Sequence, residues 1–278
     1  MNFLKAMVFG VVEGVTEWIP VSSTAHIKIF NEILKFDVSK DFFSVFEVVI
    51  QFGAIVALTI VLWKKIWPFG ENNVPLGKGI LRYVNTNKFL LCLKLAVACL
   101  PVIIYKLFIE DFVHIINENN EMIFIGVALI VIGLVFVFVE MNIKHKNPCI
   151  VSTKDITFTH ALIIGISQLI AAIFPGVSRS GITIIVSLLM SFSRPTATEF
   201  TFELSIPVML GASFMEMLDF GFAFSFGEII LLLLSCAIAF VVSLYVIRFV
   251  LDYIKKNSFV IFGIYRIILG IIVIVFLS

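Results

Sequence analysis

Six long apolar runs constrain the fold of this chain more than any other feature of its sequence. A run of 22 residues, such as 42–63, reaches roughly 33 Å as a helix and spans a hydrocarbon core of about 30 Å. The chain is 60% hydrophobic, against roughly 45–50% for soluble domains. We therefore predict an all-α polytopic membrane protein, with six transmembrane helices near residues 42–63, 88–107, 121–140, 199–218, 227–250 and 257–277.

Two further stretches, residues 3–34 and 156–192, are apolar at both ends and polar in the middle. Non-helical backbone persists at membrane depth only where protein or a water-filled cavity satisfies its N–H and C=O groups. We expect each stretch to be a re-entrant helix-loop-helix segment. Because Glu13, Glu17 and His26 interrupt the first stretch, we expect it to be retained and not removed as a signal peptide.

The two halves of the chain contain similar motifs at matching positions. Pro20 recurs as Pro175, an offset of 175 minus 20, or 155 residues, and Phe46-Glu47 recurs as Phe202-Glu203 at an offset of 156. Each half reads as one re-entrant segment followed by three crossings. This pattern predicts a single membrane domain, 1–278, built as an inverted-topology repeat of residues 1–140 and 156–278, with its site between the broken segments.

Loop charges predict the orientation, because Lys and Arg are enriched on the cytoplasmic side. The basic connections contain Lys64, Lys65, Lys78 and Arg82, then Lys144, Lys146 and Lys154, and finally Lys255 and Lys256. The remaining connections contain Glu110, Asp111 and Glu118, or Asp219. We expect both termini outside, with the first re-entrant segment entering from the outside and the second from the cytoplasm.

Glu13 and Glu17 are four residues apart, so a helix would place them on one face. A carboxylate at the bilayer centre costs at least about 2.5–3.5 kcal/mol, and a second one adds repulsion. A divalent cation, an arginine or a proton must compensate. Polar contacts between helices are the alternative explanation for the pair.

Small polar residues follow each proline: Ser22, Ser23 and Thr24 after Pro20, and Gly176, Ser178 and Ser180 after Pro175. Such residues cap helix N-termini, where free N–H groups and the helix dipole favour an anion. Arg179 adds a planar guanidinium suited to phosphate or carboxylate oxygens. We predict that two helix N-termini and Arg179 form an anion-binding site. At the offset of 155, Glu17 pairs with Ala172 and Thr24 with Arg179, so the two copies differ in chemistry.

Other polar residues lie near these motifs. His26 follows Ser23 by three residues, near enough to act on its hydroxyl or on a leaving oxygen as general acid or base. Glu47, Gln51 and Gln168 lie in apolar surroundings and are expected to face the protein interior. They either support the site or form hydrogen bonds between helices.

The segments Glu13–His26 and Pro175–Gly181 resemble the two signature motifs of the bacterial undecaprenyl-diphosphatase family, also called bacitracin-resistance proteins. The resemblance extends over essentially the whole chain, including Phe46–Gly53 and Glu199–Pro207. The chain departs from the family pattern at two positions, with Ala25 in place of a glycine and Glu203 in place of an apolar residue.

The resemblance implies a hydrolase of the bacterial cytoplasmic (inner) membrane that converts undecaprenyl diphosphate to undecaprenyl phosphate and inorganic phosphate, with Mg²⁺ or Ca²⁺ and a site open to the periplasm. It assigns catalysis to Glu17, Ser23, His26 and Arg179, and metal binding to Glu13 and Glu17. We expect the substrate to bind at the anion-binding site predicted above, through Ser22, Thr24, Gly176, Ser178, Arg179 and Ser180, and bacitracin to compete for it. A homodimer is left open, and the net charge of +1 gives no indication of nucleic-acid binding.

The sequence is compatible with two alternatives to this phosphatase. The main one is a transporter or flippase of an anionic polyprenyl lipid, because inverted repeats with broken helices are also typical of transporters. The other is the second common superfamily of membrane lipid phosphatases, which has a histidine six residues after its Ser-Arg pair. Ile185 stands at that position after Arg179, which disfavours it.

Overall fold

The computed structural model describes residues 1–70, 77, 82–109, 121–143 and 147–277. These residues form an all-α polytopic membrane protein. In chain order the helices are α1 (Asn2–Thr16), α2 (Ser23–Leu34), α3 (Lys40–Val49), α4 (Gln51–Ile66), α5 (Thr86–Phe108), α6 (Glu121–Ile143), α7 (Phe158–Ile173), α8 (Arg179–Leu189), α9 (Arg194–Asp219), α10 (Phe226–Ile254) and α11 (Val260–Phe276).

The predicted crossings coincide with helices. Within the described ranges, five helical spans are long and apolar enough to cross a membrane: Lys40–Ile66, Thr86–Phe108, Glu121–Ile143, Arg194–Asp219 and Phe226–Ile254. The first of these combines α3 and α4. The sixth predicted crossing is α11, whose 17 residues rise about 25 Å, at the short end of the crossing range.

Polar residues fix where the long helices begin. The side chain of Asn85 accepts a hydrogen bond from the N–H of Lys88 at the start of α5, and Ser193 does the same for Thr196 at the start of α9. Such caps satisfy N–H groups that have no partner within the helix. With Pro195 in its first turn, α9 begins at Arg194, five residues before the apolar run that predicted it (199 minus 194).

Both predicted re-entrant stretches are interrupted helices. The first breaks between α1 and α2 at residues 17–22, and the second between α7 and α8 at residues 174–178. The helix-loop-helix form is therefore confirmed, whereas the side from which each segment enters stays a prediction. Six charged residues used to predict orientation lie outside the described residues: Lys78, Glu110, Asp111, Glu118, Lys144 and Lys146.

Several helices of each half pack on the helices of the other half that their counterparts predict. Helix α1 packs on α10, and its counterpart α7 packs on α5. Helices α6 and α11, the last of each half, pack on each other, and so do α4 and α9. Two halves related by a two-fold axis would pack in this way, although the repeat of 1–140 and 156–278 itself stays a prediction.

Glycines allow the close contact between α6 and α11. Gly126 lies against Gly270, and Gly133 against Gly263. A Cβ atom on Gly133 would lie 2.7 Å from the carbonyl oxygen of Gly263, which real Cβ atoms essentially never do. Small residues that let two backbones approach are a common basis of helix association in membranes.

We predict that Gly133→Ala destabilises the protein by about 1–3 kcal/mol, because the added methyl group must push the two backbones apart. Gly211→Ala is the matched control, since a Cβ atom at Gly211 would meet nothing within 4 Å. Thermal unfolding in detergent measures the difference. Equal melting temperatures for the two variants would show that the glycine contact is not needed.

Candidate active site

A cavity of about 360 Å³ opens between the two helix breaks, within the range of about 300–1,000 Å³ typical of ligand sites. Its walls come from both re-entrant segments and from α3, α4, α5 and α9. The site residues predicted from the sequence that line it are Glu17, Ser22, Ser23, Thr24, Glu47, Gln51, Gln168, Gly176, Ser178, Arg179 and Ser180. The N-termini of α2 and α8 thus face one cavity.

The two breaks have the same local geometry. Ser22 and Ser178 both have positive φ angles, 74° and 69°, and each side chain caps the helix that follows. This makes Ser22 the counterpart of Ser178 at an offset of 156, so Arg179 corresponds to Ser23 and not to Thr24 as the sequence offset of 155 suggested. Gly176, with φ of +86°, accounts for the extra residue, because glycine adopts this conformation without strain.

Glu17 joins the two segments. Its Oε2 accepts a hydrogen bond of 2.6 Å from the hydroxyl of Ser23, and its Oε1 accepts one of 2.7 Å from Nη2 of Arg179. Hydrogen bonds to an ionised group are short and about twice as strong as neutral ones. One carboxylate therefore orients both a hydroxyl and a guanidinium at the cavity wall.

Glu13 lies one helical turn before Glu17 but does not line the cavity. It is fully buried, and neither carboxylate oxygen has a hydrogen-bond partner among the described residues. Buried polar groups normally have a partner, so these two oxygens require an explanation. Carboxylate oxygens suit a hard cation such as Mg²⁺ or Ca²⁺, although the described residues contain no group of three metal-ligating side chains.

His26 lies away from the cavity. Its Nδ1 is 2.7 Å from the carbonyl oxygen of Ser22, and its Nε2 is 2.8 Å from the hydroxyl of Tyr265. The ring lines a separate apolar groove of about 440 Å³, together with Phe249 and Tyr253. Its role as acid or base stays a prediction, and in this conformation the imidazole does not face Ser23 across the cavity.

The remaining polar wall includes one cation that the sequence analysis did not single out. Lys28 lines the cavity and lies 3.6 Å from Oε1 of Glu47. Gln168 donates to the carbonyl oxygen of Ala98 at 3.1 Å, while its own side-chain oxygen has no partner among the described residues. Because Lys28 follows Thr24 by four residues, helical spacing could have identified Lys28 as a residue of the same cavity wall.

Sequence analysis also missed Arg266, on α11. This side chain is fully buried. It donates to the carbonyl oxygen of Pro20 at 3.2 Å and to those of Gly176 and Val177 at 2.8 and 3.0 Å. The three acceptors belong to the two helix breaks. No hydrogen bond within a helix satisfies these carbonyl oxygens, so they need a partner from elsewhere in the protein.

We predict that Arg266→Gln lowers the free energy of unfolding by at least about 2 kcal/mol, because each buried carbonyl left without a donor costs about 1–3 kcal/mol. Arg248→Gln, at an exposed arginine of α10, is the control and should unfold like the unmodified protein. Thermal unfolding in detergent compares them. A melting temperature for Arg266→Gln equal to that of the control would contradict this role.

Comparison with known proteins gives matches along nearly the whole chain. The model of the family described as "Bacitracin resistance protein BacA" matches residues 6–272. An undecaprenyl-diphosphatase of Desulfitobacterium hafniense is 44% identical over 278 residues, covering 100% of this chain and 97% of the relative. Proteins of the same name from Lachnoclostridium phytofermentans and Enterococcus faecalis are 44% and 40% identical, covering 98% of this chain and 96% of each relative. The chain belongs to the bacitracin resistance protein BacA family.

Proposed function

We propose that this protein is an integral membrane phosphatase that hydrolyses undecaprenyl diphosphate to undecaprenyl phosphate and inorganic phosphate, which recycles the lipid carrier for peptidoglycan synthesis. The observation that carries this proposal is the chain of contacts from Ser23 through Glu17 to Arg179 in one cavity. In this proposal Ser23 supplies the nucleophile, Glu17 the proton acceptor and Arg179 the phosphate-binding cation. The family members named undecaprenyl-diphosphatase support the same activity.

The diphosphate binds in the polar cavity while the isoprenoid tail stays in the bilayer. The free N–H groups at the starts of α2 and α8 face the cavity and favour an anion. Arg179, about one-fifth exposed at 21%, can contact phosphate oxygens without breaking its bond to Glu17, because a guanidinium has five donors. Negative charge that develops in the transition state is stabilised by donors already in place.

Ser23 is the nucleophile of this proposal. Its oxygen attacks the terminal phosphorus as Glu17 accepts its proton, which the hydrogen bond of 2.6 Å already directs to that carboxylate. The Oγ–P bond forms, the anhydride P–O bond breaks, and undecaprenyl phosphate leaves with the bonding electrons. Water then attacks the phosphoserine, releases inorganic phosphate and restores the hydroxyl.

A divalent cation, Mg²⁺ or Ca²⁺, fits Glu13 and Glu17. The two oxygens of Glu13 without partners are the observation that supports this assignment. When bound, the cation would offset the charge of the diphosphate and of the two carboxylates. Glu13 would hold the ion, while Glu17 also orients Ser23 and Arg179.

The location and the remaining partners belong to the same proposal. The enzyme lies in the bacterial cytoplasmic (inner) membrane, with its cavity facing the periplasm and both termini outside. Bacitracin competes for its lipid substrate, and the chain can form a homodimer. The charge distribution of the loops supports the orientation, and the family resemblance supports the membrane and the competition by bacitracin.

We expect the purified protein to release inorganic phosphate from a C55 isoprenyl diphosphate in detergent, and EDTA to abolish the release. Added Mg²⁺ or Ca²⁺ should restore it. Activity that survives EDTA would contradict the metal assignment. In proteoliposomes, movement of the lipid across the bilayer without phosphate release would contradict hydrolysis and favour a flippase.

We expect Arg179→Ala to lower kcat/KM about 10²–10³-fold, the usual cost of losing a donor to transition-state charge. Ser23→Ala should lower kcat by at least about 10²-fold, because no hydroxyl remains to attack. Arg248→Ala, on the exposed surface of α10, is the control and should keep full activity.

The variants Arg179→Ala and Ser23→Ala test phosphate binding and nucleophilic attack separately. Full activity of Arg179→Ala would exclude this arginine as the phosphate ligand. Turnover retained in Ser23→Ala would instead favour direct attack by a water molecule activated by Glu17.

A further inference from the structure

Lys28 is a second cation on the wall of the candidate active site. It lies on α2 four residues after Thr24, so both side chains lie on one helical face, and both line the cavity. From Ser23, five residues of helix rise about 7.5 Å to Lys28. Lys28 therefore lies about one and a half turns along α2 from the proposed point of attack.

Carboxylates from two other helices hold the ammonium group in place. Lys28 donates to Oε1 of Glu121, at the start of α6, and lies 3.6 Å from Oε1 of Glu47, on α3. Its side chain is only 18% exposed. An ammonium has three donors; Glu121 takes one and Glu47 takes at most one. A donor remains for a ligand.

The two cations of the cavity are held in the same way. Glu17 fixes the guanidinium of Arg179, and Glu121 fixes the ammonium of Lys28, so each cation is oriented by a carboxylate from another segment of the chain. Two linked phosphates carry more negative charge than one guanidinium can balance, and the proposed divalent cation would also have to offset the carboxylates of Glu13 and Glu17. A second cation along the same wall suits a ligand with two phosphate groups better than a ligand with one.

We infer that Lys28 binds the phosphate group that Arg179 does not hold, and that it thereby makes the site selective for a diphosphate over a monophosphate. This inference rests on the proposed phosphatase function. Lys28 contacts the substrate without taking part in bond making or breaking. Its loss is thus expected to affect KM more than kcat.

The test compares Lys28→Met, Lys28→Arg and Glu121→Gln in the phosphate-release assay. Lys28→Met should raise KM for the C55 diphosphate about tenfold and leave kcat within about threefold, because one charge-assisted contact is lost. The inhibition constant of inorganic phosphate, which comes from the terminal group held by Arg179, should change by less than about twofold. Lys28→Arg, which keeps the charge, should retain a KM close to that of the unmodified protein.

Glu121→Gln removes the carboxylate that fastens Lys28 to α6 and keeps the ammonium, so it should raise KM for the diphosphate less than Lys28→Met does. A KM raised as far by Lys28→Arg as by Lys28→Met would show that the charge of Lys28 does not bind the phosphate, and would overturn the inference. An unchanged KM in Lys28→Met would overturn it as well, as would equal losses of affinity for the diphosphate and for inorganic phosphate. If Lys28→Met does not fold, Lys28→Gln takes its place in every comparison.

These outcomes are separable from failure of the proposed function. If the unmodified protein releases no phosphate, the phosphatase proposal fails. If it does release phosphate and the variants at Lys28 behave like it, only the role of Lys28 fails.

Discussion

The hydrogen bonds from Arg266 to Pro20, Gly176 and Val177 satisfy backbone carbonyls that the two interrupted helices leave without partners. In a bilayer, helices can end at mid-depth only if protein or water supplies those partners. One guanidinium on α11 serves both breaks and so fixes them relative to each other. The cavity depends on this constraint, because its walls include the N-termini of the helices that begin at these breaks.

Glu17 then determines what the cavity can do. It accepts hydrogen bonds from Ser23 of its own segment and from Arg179 of the other one, so its single carboxylate joins the proposed nucleophile to the proposed phosphate ligand. Glu13, one turn earlier, is buried without such partners among the described residues. The two carboxylates thus have different surroundings, because only Glu17 lies in the loop between the helices.

The sequence predicts the parts of this structure that depend on neighbouring residues. Apolar runs locate the crossings, and a proline followed by hydroxyl residues locates each break. Helical periodicity alone does not fix the position of His26. It lies opposite Thr24 and Lys28, which share one face of α2, but three residues from Ser23 it lies on the side of that residue. Arg266 could not be inferred, since 246 residues separate it from Pro20 and no local pattern marks an arginine in an apolar run as a donor to distant carbonyls.

The differences between the two halves favour an enzyme over a transporter. At the offset of 155, Ala171 in the cavity wall corresponds to Thr16, which lines the apolar groove beside His26. The described residues around that groove are mainly aliphatic and aromatic, whereas the cavity contains Glu17, Lys28 and Arg179. A pathway for an anionic headgroup would need polar groups on both sides of the breaks. Among the described residues, charged side chains line the cavity and not the groove, so the cavity suits an anionic headgroup and the groove does not.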